Sequence, residues 1–172
     1  MSAIKALLLT DVVDSTQFAE QLGDSAAADL WVAHDRVSRA LLGVWRGREI
    51  DKTDGILALF DSCADAVGYA FDYHRALAGL PSPLKARAGV HVGPVILREN
   101  AASDVALGAK PFDVEGIAKP VVARLMALAR GGQTLLSAAA RDALGTCAHK
   151  LVSHGHWRLK GISDPIELFE IG

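Results

Sequence analysis

The sequence predicts an α+β fold, a ferredoxin-like β-α-β-β-α-β core with a further helix and strands appended. Three observations carry this. An apolar run, Ile4 to Thr10, stops at Asp11 and gives way to a small polar segment and a long helical pattern. Two short β-like runs then flank Asp54-Gly55, the pair that most often turns a hairpin. A second helix and an alternating strand follow in the order that closes the split unit. The 172 residues suffice for one domain with a sizeable core, read here as a single unit over 1–172.

Ile4 to Thr10 has the continuous apolar character of a strand covered on both faces. Thr16 to Trp45 is helical, interrupted near Gly23-Asp24, with Leu30, Val37, Leu41 and Val44 recurring on one face. The segment GREIDKTDGILALFD forms the hairpin. Asp61 or Ser62 caps a helix over Ala64 to Ala78. Leu80 to Pro83 breaks the pattern. Leu84 to Val92 alternates as a strand, Gly93-Pro94 is expected to turn, and Val95 to Arg98 to pair back. Glu99 to Pro111 reads as a surface loop. Gly116 to Arg130 is a helix stopped by Gly131-Gly132. Gln133 to Leu136 is a strand, Ser137 begins a short helix, and strands near Val152 to Leu159 and Ile166 to Ile171 complete the chain.

Composition bounds the function. A net charge of −2 gives no bulk attraction to nucleic acid or to an anionic membrane. The two cysteines, Cys63 and Cys147, lack metal-type spacing and read as buried small residues of a reducing compartment. No basic leader with a long apolar core opens the chain, and no apolar run reaches membrane-spanning length. The expected location is the cytoplasm. His154 and His156 alternate on a late strand without a third ligand nearby, and no P-loop, dinucleotide fingerprint or Gly-x-Ser-x-Gly elbow is present.

The chemistry concentrates in Ile4 to Gln17. A buried strand that ends in a carboxylate delivers Asp11 to a sheet edge. The backbone N–H groups of Val12, Val13, Asp14, Ser15 and Thr16 lie where a helix starts, a position that favours phosphate. A carboxylate beside a phosphate cradle suggests a divalent metal carried by a nucleotide. The alternative is a strand end whose Asp14 or Ser15 caps the next helix.

Five segments in this order resemble the class III adenylate/guanylate cyclase catalytic domain over nearly the whole chain: LLLTDVVDST, DKTDGILALF, ARAGVHVGPV, FDVEGIAKPVVARLMALARGGQTLLS and WRLKGISDPIELFEI. The resemblance implies the class III nucleotidyl cyclase fold and a head-to-tail homodimer with sites at the subunit interface. It implies conversion of a nucleoside triphosphate, ATP favoured over GTP, into a 3′,5′-cyclic monophosphate and pyrophosphate. It implies two Mg2+ or Mn2+ ions per site, held by Asp11, the Val12 carbonyl and Asp54. Val13, Asp14, Ser15 and Thr16 would bind the triphosphate. Lys52 and Asp113 occupy the places of the base-reading pair, with Asp113 accepting from the adenine N6 amino group. Arg124 matches the catalytic arginine, whose fork suits phosphate oxygens.

The pattern departs from the family in three places. The hairpin is two residues short between the lysine and aspartate positions. An even change keeps strand parity, so Lys52 either reads the base or pairs with an acid near the metals, and Asp51 is a spare carboxylate on the opposite face. The helix that usually begins Val-Asn begins Lys119-Pro120 here, so the ribose-orienting amide is missing. Lys119, a cation at a helix N-terminus, is electrostatically disfavoured unless an anionic partner such as the triphosphate meets it. The third departure is the long loop over Glu99 to Pro111. These changes weaken catalysis more than fold. The alternative reading is therefore a degenerate cyclase-like module that binds nucleotide or dimerises, and either reading accommodates further domains of a longer signalling chain.

Overall fold

The structure, a computed structural model, describes residues 2–172. Eight strands and six helices are found among the described residues. The central strand β1 (Ser2–Val12) presents Ala6 and Leu8 to one face of the sheet and Leu7 to the other. It leads into α1 (Ser15–Leu22) and α2 (Asp24–Val44), which meet at Gly23 with φ 83 and ψ 162, a backbone region that suits glycine. The hairpin β2 (Arg48–Lys52) and β3 (Ile56–Phe60) returns so that β3 lies antiparallel to β1. Helix α3 (Cys63–Ala78) starts at Ser62, whose hydroxyl accepts from the Asp65 amide. Strand β4 (Ala86–Glu99) pairs with the other side of β1. The order β2-β3-β1-β4 is the expected split βαββαβ core.

The remainder extends that sheet. Helix α4 (Ala102–Ala106) and strand β5 (Phe112–Glu115) fold back on the far end of β4. Helix α5 (Ala118–Leu128) packs Ala118 and Val122 against the sheet face opposite α2 and α3. A Cβ on Gly89 would stand 2.8 Å from the Met126 amide nitrogen, so α5 rests directly on β4 there. Strand β6 (Thr134–Ser137) runs parallel to β4, α6 (Ala138–Leu144) follows, and β8 (Ile166–Ile171) and β7 (Leu151–Trp157) complete the edge. The main core lies under α2 and α3, around Tyr69, Tyr73 and Phe60. Among the described residues no helix is long and apolar enough to cross a membrane.

The expected turn at Gly93-Pro94 is absent. Strand β4 runs straight through both residues, pairing Pro94 with Ile4. Its other edge is met by β6 at Ala88 to Val90 and by β5 at Ile96 to Glu99. Pro94 falls in the gap between them, where a missing N–H breaks no ladder. The polar stretch read as loop from Glu99 to Pro111 includes α4, and the four residues after it form β5.

Candidate functional site

The end of β1 and the turn between β2 and β3 are held together by main chain. The Val12 N–H donates to the Asp54 carbonyl at 2.7 Å. Gly55 makes this approach possible, because a Cβ there would lie 2.0 Å from the Thr10 carbonyl oxygen. Asp54 is thereby set beside Asp11. Both line one open cavity of about 590 Å3, together with Val12 and the residues from Val13 to Gln17. The Ser15 hydroxyl donates to Asp54 Oδ2 at 3.1 Å.

The capping alternative does not hold. Asp14 precedes α1 in the left-handed region, φ 58, and makes no side-chain cap, while the Ser15 hydroxyl is committed to Asp54. The first N–H groups of α1 are left without a side-chain acceptor at the rim of the cavity, where a helix end favours an anion. Non-glycine residues hold φ above zero at a cost of about 1 kcal/mol or more, so Asp14 marks a constrained turn.

The donor set is oxygen-only and incomplete. Among the described residues no three His, Cys, Asp or Glu side chains converge as a metal cage. Two carboxylates beside a backbone carbonyl fit a hard divalent cation that keeps water and takes phosphate oxygens for its remaining positions. Arg87 supplies the local countercharge. It is the cross-strand neighbour of Asp11 on β4 and donates to Asp11 Oδ2 at 2.5 Å and to the Ala127 carbonyl at 3.3 Å. Its buried Nε has no partner among the described residues.

Lys52 is not where an even shortening of the hairpin puts it. The ladder between β2 and β3 shifts register between Glu49 and Asp51, so Ile50 is the extra residue of a β-bulge. Ile50, packed with Leu57 and Leu59, and Asp51, opposite Leu57, therefore share the α5 face, and Lys52, opposite Ile56, turns to the α2 side. Its ammonium lies 3.2 Å from Asp35 Oδ2 and 5.1 Å above the Trp31 ring. The cations beside Asp113 are Lys110, 3.2 Å away, which also reaches Asp51 at 3.4 Å, and Arg98, 3.4 Å away. Hydrogen bonds from Asn100 and then Lys110 hold the Asp113 carboxyl below its ordinary range. Asp51, read from sequence as the spare carboxylate, thus pairs through Lys110 with Asp113, while Lys52 lines the neighbouring cavity but its ammonium pairs with Asp35.

On α5, Pro120 is the third helical residue, where a missing N–H costs no intrahelical bond. Lys119 borders a small cavity of about 150 Å3 with Leu9, Asp51, Lys52, Thr53 and Leu57. Arg124 is exposed and projects from the helix. Unlike Lys110, neither Lys119 nor Arg124 has an ion-pair partner among the described residues. Neither lines the cavity at Asp11 and Asp54. Sequence reading missed Arg87 and Lys110. Arg87 sits in the quoted ARAGVHVGPV segment, but only strand register places it across from Asp11.

No protein-family model matches the chain. It is 30% identical over 141 residues to the uncharacterized proteins Rv0891c of Mycobacterium tuberculosis and Mb0915c of Mycobacterium bovis. That match covers 79% of this chain and 43% of each relative, so the chain spans less than half their length. Its structure is similar to that of a Trypanosoma brucei adenylate cyclase, with TM-score 0.86, 21% identity, and 98% and 87% of the two chains covered. The adenylyl cyclase CyaB from P. aeruginosa superposes with TM-score 0.86, 16% identity, and 100% and 96% covered. The guanylyl cyclase Cya2 superposes with TM-score 0.85, 20% identity, and 99% and 92% covered. The chain has the fold of the class III adenylate/guanylate cyclase catalytic domain.

Proposed function

We propose that this domain converts a nucleoside triphosphate, ATP in preference to GTP, into the 3′,5′-cyclic monophosphate and pyrophosphate at a site shared by two copies of the chain. The observation that carries this reading is the meeting of Asp11 and Asp54 at one cavity, rimmed by the uncapped start of α1. Mg2+ or Mn2+, two per site, would neutralise the triphosphate and acidify the ribose 3′-hydroxyl. Asp11, Asp54 and the Val12 carbonyl would hold these ions. The amides from Val13 to Thr16 would face the phosphates, with Ser15 keeping Asp54 in place. Arg124 and Lys119 would meet the polyphosphate charge that grows as the bond to the leaving pyrophosphate breaks.

The remaining groups must come from a second copy. Arg124 and the cluster of Asp51, Lys110 and Asp113 do not line the cavity of the two carboxylates. One substrate meets both sets only if a partner brings the second, as a head-to-tail dimer would. In the base pocket Asp113 would accept from the adenine N6 amino group. Lys110 would donate to N1 in place of Lys52, which is engaged with Asp35. The greater length of the mycobacterial relatives agrees with a catalytic unit working beside further domains in a cytoplasmic signalling protein.

Pro120 favours a second reading, a degenerate module that binds nucleotide without turning it over, because it offers the ribose no hydrogen bond. Incubation with each of the four nucleoside triphosphates and Mn2+, with detection of cyclic product, separates the two. Cyclic AMP from ATP is expected, at a rate rising more than linearly with dilute protein. No cyclic product from any nucleotide would leave only the binding module.

A further inference from the structure

Behind the carboxylates runs a buried chain of hydrogen bonds that no step of the proposed reaction uses. The Ile56 amide donates to Thr10 Oγ1 at 3.0 Å. The Thr10 hydroxyl points at the Tyr73 hydroxyl at 3.4 Å, and the Tyr73 hydroxyl lies 2.7 Å from His34 Nε2. His34 Nδ1 lies 2.9 Å from Asp35 Oδ1, and Lys52 Nζ lies 3.2 Å from Asp35 Oδ2. His34 and Tyr73 are 1% and 0% exposed.

Burial of His34 selects among the proton arrangements these distances allow. If Thr10 donates to Tyr73, Tyr73 donates to Nε2, and His34 is the neutral tautomer with its proton on Nδ1, donating to Asp35. Burial holds His34 below its ordinary pKa, which agrees with the neutral ring. Burial raises the Asp35 carboxyl, but hydrogen bonds from His34 and Lys52 outweigh it and keep the group ionised. Every donor then has one acceptor, and the chain ends on a carboxylate neutralised by Lys52.

Its attachment points are specific. Thr10 immediately precedes Asp11. Lys52 and Ile56 flank Asp54 by two residues on each leg of the hairpin. We propose that Thr10, Tyr73, His34, Asp35 and Lys52 form a positioning device that fixes Asp54 relative to Asp11 from α2 and α3, with Lys52 serving as the anchor of the hairpin. The inference rests on the reading of Asp11 and Asp54 as metal ligands. Groups that orient such ligands typically change metal affinity by about 10–100-fold.

The test uses the full chain without nucleotide and two readouts. Mn2+ affinity is measured by the loss of the free-ion electron paramagnetic resonance signal. Amide hydrogen exchange is followed across residues 51–57. Thr10→Val, which keeps shape and loses the hydroxyl, and Lys52→Met should each weaken Mn2+ binding about tenfold or more and speed exchange in the hairpin. Thr10→Ser, which restores the hydroxyl, should bind Mn2+ as the wild type does. Exchange in β3 beyond Ala58 should be unchanged, which separates loss of positioning from loss of fold. Wild-type affinity and hairpin exchange in both Thr10→Val and Lys52→Met would overturn the proposal. Asp11→Ala is the separate control: unchanged Mn2+ binding there would remove the metal reading, while the hairpin exchange would still decide whether the device exists.

Discussion

The two halves of the candidate site are built on opposite plans. The carboxylate half is finished within one chain: Asp11 has Arg87, Asp54 has Ser15 and the Val12 amide, and a buried hydrogen-bond chain ties both segments to α2 and α3. The cation half is open. Arg124 and Lys119 extend from α5 with no ion-pair partner among the described residues. A fixed acidic half organises cations before substrate arrives, whereas an unpartnered basic half keeps its full charge for an anion that arrives later. Electrostatic groups oriented in advance stabilise a developing charge without reorganising during the reaction. On the proposed reading, the difference marks which half each copy contributes complete and which half it lends.

The largest test breaks the first half. Asp11→Ala or Asp54→Ala should lower cyclic nucleotide formation on the order of 10³-fold. Asp54 is exposed and bears on no core contact, so its replacement should shift stability by about 0.5 kcal/mol or less in a urea melt. Activity surviving in both variants would dissolve the comparison.

Breaking the second half should cost slightly less. Arg124→Ala should reduce turnover by about 10²-fold while Mn2+ binding is unchanged. The two inactive variants sharpen the comparison when mixed. If the halves come from different copies, Asp11→Ala with Arg124→Ala forms heterodimers holding one intact site. Activity should then recover to about one quarter of wild type, from half the dimers with one site in two. No recovery on mixing would place both halves in one chain.

The sequence carried the first half better than the second, for a physical reason. Asp11 and Asp54 are set by local chemistry: an apolar run ending in a carboxylate, and an Asp-Gly turn whose glycine lets the turn close onto Thr10. The positions expected to read the base depend on register. One extra residue at Ile50 reversed the parity of the rest of β2, moving Lys52 behind the sheet and leaving Asp51 beside Asp113. No propensity marks that bulge. Arg87 was invisible for a related reason, since strand pairing sets its partner, and Lys110, although three residues from Asp113, meets the distant Asp51 only in the assembled fold. The order of the core elements was legible because each has its own period and stop. The turn expected at Gly93-Pro94 failed because a local breaker meets a strand gap that only the assembled sheet defines.

A smaller effect concerns the ribose. Pro120→Asn restores a side-chain amide at the start of α5 and removes nothing from the helix ladder. One orienting hydrogen bond in the transition state should raise turnover by about tenfold or more, with little change in KM for ATP. A rise in affinity alone would assign the position to binding.

The smallest effect is on stability and asks which half acid reaches. Burial lowers the pKa of His34 and His74, and takes His91, beside Ser137, down to about 4. In the unfolded chain these rings titrate near 6.5. Between these limits the unfolded state binds more protons than the native one, so stability rises with pH. It is fully present above about pH 6.5 and is lost as pH falls toward 4. Urea midpoints should therefore fall steadily from pH 7 to pH 4.5, and His91→Gln should flatten the curve. His34 adds a local consequence. Charging it forces a proton onto Nε2, so the Tyr73 hydroxyl must reverse to accept there and turn its own proton toward Thr10, which displaces the Thr10 proton behind Asp54. Exchange of the Ile56 amide, corrected for its intrinsic pH dependence, should then accelerate relative to amides in α5. Equal change in both would mean that acid loosens the domain as a whole, and that the carboxylate half has no separate support.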